Sequence, residues 1–169
     1  MKVPLRGTGA VDALIVLVVC ALTAPGCGGG TKRLDKREYV RQMRAIEESR
    51  EARRAWRLYD NVVLTQPPLP QAGCRARTHE LHRTLETIVA RVERLRAPAE
   101  VEQLQRQFVA AARESMRVLG QAADDVAADR LHCGRPLARR IGGLRSNHRA
   151  EAVLRAYAKR GYTIGLNSD

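Results

Sequence analysis

Hydrophobic positions recur along most of this chain at helical spacing, three and four residues apart. Asp35 with Glu38 three residues on makes a capping-box-like start. From there a first long helix is expected to run to about Leu64, where Gln66-Pro67-Pro68 stops it. Its apolar residues fall in two groups, Tyr39, Val40, Met43 and Ile46, then Ala52, Ala55, Trp56, Tyr59, Val62 and Val63. Between them Glu47, Glu48, Arg50, Glu51, Arg53 and Arg54 cover nearly the whole circumference, so the middle reads as a solvated stalk leaning on ion pairs.

Gln66 to Gly73 reads as a Pro-rich linker, and Cys74 to Arg96 as a second helix with Leu81, Leu85, Ile88, Val92 and Leu95 inward. Pro98 suits the first turn of a third helix, whose inward series is Val101, Leu104, Phe108, Ala111, Ser115, Val118 and Ala122. These are coiled-coil spacings. The two series mirror each other about Pro98: Leu95 meets Val101, Val92 meets Leu104, Ile88 meets Phe108, and Leu85 meets Ala111. Constant mirror spacing is what an antiparallel hairpin with a tight turn requires, and Ile88 with Phe108 should form its central layer. Beyond Leu131 the pattern shortens. Pro136 begins a short helix that fails at Gly142-Gly143, and Asn147 to Arg160 reads as a last helix with Val153, Leu154 and Tyr157 inward. The tail Tyr162 to Leu166 either packs back or frays, and its apolar content favours packing. The fold class expected is all-α: a helical bundle with a central antiparallel helical hairpin and a long N-terminal helix.

One apolar stretch does not fit this periodicity. Ala13 to Ala24 is a continuous run preceded by Lys2 and Arg6 and followed by Pro25, Gly26, Cys27 and Gly28-Gly29-Gly30. Twelve residues are too few to cross a hydrocarbon core, which needs about 20, but they fit the apolar region of a secretion signal. With a cysteine after a small residue, the segment resembles the lipobox of bacterial lipoproteins, although Ala24 and Pro25 depart from its pattern. The resemblance implies cleavage before Cys27 and lipid attachment at that thiol. An ordinary signal cut after Ala24 and a plain apolar N-terminus are the rival readings. The organisation expected is a signal at 1–26, a flexible tether at 27–34 and one helical domain at 35–169. The rest of the chain resembles small helical exported proteins of GC-rich bacteria, a resemblance that implies no activity.

Charge sharpens the picture. The chain carries 30 Lys and Arg against 18 Asp and Glu; losing Lys2, Arg6 and Asp12 with the signal leaves 28 against 17, a surplus of +11. Nine basic residues lie between Arg130 and Arg160, opposed by Glu151 alone. Arg135, Arg139, Arg140, Arg145 and Arg149 are therefore the candidate anion-binding residues. In the cytosol such a surplus would suggest nucleic acid. Outside a membrane it suggests lipid head groups or anionic wall polymers, with envelope proteins as further partners and no nucleic acid.

Catalytic chemistry finds little footing. His79 and His82 lie three apart near Glu80 and Glu86, but a zinc-protease motif needs a separation of four, and the third helix turns no carboxylates inward to complete a di-iron site. His132 adjoins Cys133, yet sequence neighbours do not make a nucleophilic pair, and exported cysteines tend to be oxidised. Asp124, Asp125 and Asp129 read as solvated acids at a helix end. No metal, cofactor or catalytic residue is expected. With Cys20 lost and Cys27 lipidated, Cys74 and Cys133 are left to pair as a disulfide. Helix geometry initially sets them about 16 Å apart. Two adjustments would close the gap, a third helix ending near Ala128 with the chain running back, or a second helix starting nearer Thr78. The function expected is a membrane-tethered, non-enzymatic envelope lipoprotein binding an anionic or protein partner. The alternative is a small-molecule binding or sensing module with a pocket between helices.

Overall fold

A computed structural model describes residues 33–142 and 144–164; the expected signal, Cys27, most of the expected tether, Gly143 and the end of the tail lie outside the described residues. The described chain is an all-α bundle of six α-helices with no strand: α1 (Lys36–Glu47), α2 (Arg50–Tyr59), α3 (Gln71–Arg94), α4 (Glu102–Ala127), α5 (Arg135–Gly142) and α6 (Arg145–Lys159). None is long and apolar enough to cross a membrane.

Asp35 caps α1 as its sequence suggested, its carboxylate accepting from the Glu38 backbone N–H at 2.8 Å. The long first helix, however, is broken. The chain turns at Glu48-Ser49, and Ser49 recaps it by accepting from the Ala52 N–H at 3.2 Å. The cause is a phase slip: Ile46 and Ala52 are six apart, whereas one continuous stripe requires seven. Breaking the helix lets both buried faces, Tyr39-Met43-Ile46 and Ala52-Ala55-Leu58-Tyr59, meet the same core. No solvated stalk exists here; α2 packs along α3, and even Ser49 is buried. A single wide π-turn, Asp60–Leu64, ends the segment and buries the adjacent Val62 and Val63 together.

Helices α3 and α4 pack more extensively than any other pair. Opposed contacts fix their direction: Gln105 of α4 bonds carbonyls of Val92 and Leu95, while Gln71 at the far end of α3 bonds the Val126 carbonyl. The hairpin is thus antiparallel about the Pro98 turn. Ile88 and Phe108 are both buried, as are Leu81, Leu85, Val92 and Val101. The strict seam expected along α4 is only part of its buried surface. Leu104 and Val118 are half-exposed, whereas Gln105, Ala112, Met116, Leu119, Ala123 and Val126 are buried. Helix α4 is covered from two sides, by α3 and by α6, so its inward arc is wider than a two-helix stripe.

The tail packs back, with Tyr162 and Ile164 buried. Gly161, at φ +72°, makes the turn that a side chain would strain. Tyr162 completes a buried cluster with Tyr39 and Tyr157, ring centroids 6.0–6.3 Å apart. The Tyr39 and Tyr157 hydroxyls bond each other at 2.9 Å, and Tyr162 donates to Glu100 at 2.6 Å. Lys36 locks the corner, its Nζ 4.8 Å from the Tyr162 ring centroid and donating to the Arg160 carbonyl at 2.9 Å. Burial, opposed by the Tyr157 hydrogen bond, pushes the Tyr39 hydroxyl up to about 12. Burial also raises Tyr157 and Tyr162, and the Tyr162 hydrogen bond holds Glu100 below the usual carboxylate range.

Raised tyrosine values mean that the fold favours the protonated ring. Their stabilisation is present in full below the ordinary tyrosine value of about 10 and disappears as pH rises through the folded-state values. The urea midpoint should therefore hold steady from pH 7 to 9 and fall above about 10, with Tyr157→Phe removing part of the fall. A midpoint that stays level to about pH 12 would contradict this role for the cluster.

Candidate anion-binding surface

The five arginines singled out by charge sit on two short helices that are anchored from below. Helix α5 buries Leu137 and Ile141 and exposes Arg135, Arg139 and Arg140. At the start of α6, Arg145 and Arg149 are exposed while Ser146, Asn147 and Ala150 face inward. Among the described residues, Arg135, Arg139, Arg140 and Arg145 take part in no ion pair. Arg149 differs: it reaches Glu114 of α4 at 3.0 Å, both side chains well exposed. Such a pair adds at most about 1 kcal/mol, and it partly neutralises the fifth member of the set.

Two devices hold this surface in place. The first is a buried polar network. The Ser115 hydroxyl of α4 lies within donating reach of Ser146 Oγ (2.7 Å) and Asn147 Oδ1 (3.1 Å). Asn147 Nδ2 in turn donates to the carbonyls of Ile141 (3.1 Å) and Gly142 (3.3 Å), two orphan acceptors at the end of α5. Ser115 thus occupies its inward position to join α4, α5 and α6, which a pattern of apolar spacings does not reveal. The second device is the cysteine pair. Cys74 and Cys133 stand at disulfide distance, Cα atoms 5.7 Å apart, both buried. Helix α4 ends at Ala127 and the chain runs back through Asp129, at φ +57°, as the first geometric adjustment required. The second did not occur, since α3 begins at Gln71, before Cys74. Gln71 secures the return, donating to the Val126 and Leu131 carbonyls and facing His132 Nδ1 at 2.6 Å. Next to the bridge, Gly134 at φ +80° donates to the Val62 carbonyl at 2.7 Å.

No family model, curated protein or solved structure matches this chain.

Of the remaining chemical candidates, His82, Asp125 and Asp129 have structural partners. His82 is half-buried, 3.8 Å from Glu86, and rests against Gly120, where a Cβ would come within 3.1 Å of its Nε2. Gly120 is therefore small to admit His82. Asp125 pairs with Arg130 at 2.7 Å, and Asp129 with Arg75 at 3.4 Å. Among the described residues no three His, Cys, Asp or Glu side chains converge as a metal site would need.

One basic patch escaped the charge count. Arg50, Arg53 and Arg57 fall on one exposed stripe of α2, beside a shallow groove of about 540 Å³. Their acidic and basic neighbours are engaged elsewhere, Glu51 with Arg91 at 3.5 Å and Arg54 with Glu80 at 2.6 Å. Similar numbers of acids and bases in this stretch made it look balanced. Only tertiary pairing separates the arginines that have no ion pair among the described residues from the paired ones.

Proposed function

We propose that the protein is a lipid-tethered, non-enzymatic envelope protein whose C-terminal arginines bind a phosphate-rich anionic surface, a lipid head-group layer or a wall polymer. The observation that carries the reading is the set Arg135, Arg139, Arg140 and Arg145, exposed and without a carboxylate partner among the described residues, on two anchored helices. Unpaired guanidinium groups keep their full charge, and helices that are already anchored spare the backbone ordering that binding would otherwise require. The tether rests on the lipobox resemblance at Cys27, and the matching check is fatty-acid labelling of cells, which Cys27→Ala should abolish.

Binding of full-length protein in neutral nanodiscs to immobilised polyphosphate tests the surface. The triple variant Arg139→Ala/Arg140→Ala/Arg145→Ala should bind roughly 100-fold more weakly at low salt, each arginine contributing about 1 kcal/mol. Equal affinity for the variant and the wild type would remove these residues from the reading. The second reading, a small-molecule module, is favoured by a groove of about 520 Å³ beside the α3–α4 turn, lined by Leu95 and Val109 together with four arginines.

A further inference from the structure

Three chain segments meet at the Pro98 end of the bundle. Leu34, just before α1, donates its backbone N–H to the Arg96 carbonyl at 2.9 Å. Lys36 donates to the Arg160 carbonyl at 2.9 Å, which joins the start of α1 to the end of α6, and Tyr162 donates to Glu100 at 2.6 Å. Each segment brings exposed cations to this end: Lys36 and Arg37, Arg94 and Arg96, Lys159 and Arg160. None of the six takes part in an ion pair among the described residues. The acids here do not balance them. Glu93 is matched by Arg113, and Glu102 by Arg33 and Arg106, which leaves Asp35 and Glu100 against the six cations. The end therefore carries at least four positive charges in excess. They are spread over three segments, and of the six only Arg96 lines the groove beside the turn. That distribution suits an extended anionic surface better than a small ligand.

The course of the chain selects the surface. It enters the described fold at this same end, and six residues separate Cys27 from Arg33, a reach of at most about 20 Å. A lipid at Cys27 would hold the Pro98 end next to its bilayer. The C-terminal arginines are placed differently. Helix α5 starts beside the Cys74–Cys133 bridge at the other end of the hairpin, where Gln71 holds the Val126 carbonyl. From Glu102 to Val126 is about 36 Å along α4. Ser115, which bonds Ser146 at the start of α6, lies about 20 Å along it. We infer that the Pro98 end is a docking surface for anionic lipid, seated on the head groups of the bilayer that holds the tether, with α5 standing clear of them. Head-group phosphates lie in one layer, so cations from all three segments can each meet one, and guanidinium forks suit their oxygens. The inference rests on the lipid-tethered part of the proposed function. It leaves the arginines of α5 facing an anion beyond that bilayer.

Side-chain modification of the full-length protein in nanodiscs tests it, with phenylglyoxal for arginine and a water-soluble acetylating ester for lysine, each site read by mass spectrometry. In discs of equimolar phosphatidylglycerol and phosphatidylcholine, Arg94, Arg96 and Lys159 should react roughly five-fold more slowly than in phosphatidylcholine alone, the effect of one head-group contact per side chain. Arg135 and Arg139 should react equally in both, and high salt should remove the difference at the Pro98 end. Equal rates in the two lipids at Arg94, Arg96 and Lys159, or slowing at Arg135 and Arg139 as great as theirs, overturns the inference. Fatty-acid labelling at Cys27 reads the tether separately. Unlabelled protein whose Arg94 and Arg96 are still slowed by phosphatidylglycerol vesicles would keep the docking surface and remove the tether, and labelled protein with equal rates would do the reverse.

Discussion

Replacing both Cys74 and Cys133 by alanine should lower stability by about 4 kcal/mol relative to the bridged protein, on the chain-entropy view of a crosslink. The reasoning starts from loop length. The two residues are 59 apart in sequence, and the bridge closes α3 and α4 into one loop. A crosslink over that span removes much of the freedom of the unfolded chain and little from the folded one. Both residues are buried, so the alanines also lose some packing, and reductant should act slowly until the bundle is unfolded. The effect should concentrate at the base of the hairpin, where Gly134 and Gln71 tie the return segment down. Urea unfolding of the wild type and of the double variant, both produced in an oxidising compartment, measures the difference. Equal midpoints, or two reactive thiols in the unfolded, unreduced wild type, would mean that no bridge forms.

Phe108→Ala should cost about 3–5 kcal/mol, the range for emptying a closed aromatic site. Phe108 is the only phenylalanine in the chain and is 1% exposed, in the second turn of α4 toward the Pro98 end of the hairpin. Backbone collapse into the space is resisted because α4 is held by α3 on one side and α6 on the other. Denaturant titration gives the value, and Phe108→Leu should recover much of it. A loss under about 1 kcal/mol, as at a surface position, would show that Phe108 lies outside a closed layer. Leu104 makes the useful contrast. The mirror pattern placed it opposite Val92, yet it is half-exposed while Gln105 is buried and bonds the Val92 carbonyl. Leu104→Ala should therefore cost clearly less than Phe108→Ala.

These cases show what the chain's own pattern reveals. The hairpin was legible because Pro98 marks a turn and large aliphatic residues recur on both sides of it. The cysteine pairing was legible by elimination, on the expectation that Cys20 and Cys27 belong to a signal and that the compartment is oxidising. The break at Ser49 was legible in principle, through the six-residue step from Ile46 to Ala52, but a dense run of charges obscured it. Polar positions were harder. Gln105, Ser115 and Asn147 are buried because each satisfies carbonyls or hydroxyls on another helix, and spacing along one helix carries no sign of that. The tyrosine cluster joins residues 39, 157 and 162, which no local window connects. Charge was legible as a total and by segment, but not by pairing: Arg149 is engaged by Glu114, whereas Arg50, Arg53 and Arg57 form a stripe with no ion pair among the described residues.

The salt dependence of polyphosphate binding by the full-length protein tests the central claim most directly. Charges act over about 10 Å at 0.1 M salt and about 3 Å at 1 M. If the exposed arginines of α5 and α6 are the contact, affinity should fall by well over ten-fold between those two conditions. An affinity that stays the same across the series would contradict an electrostatic surface and, with it, the function proposed.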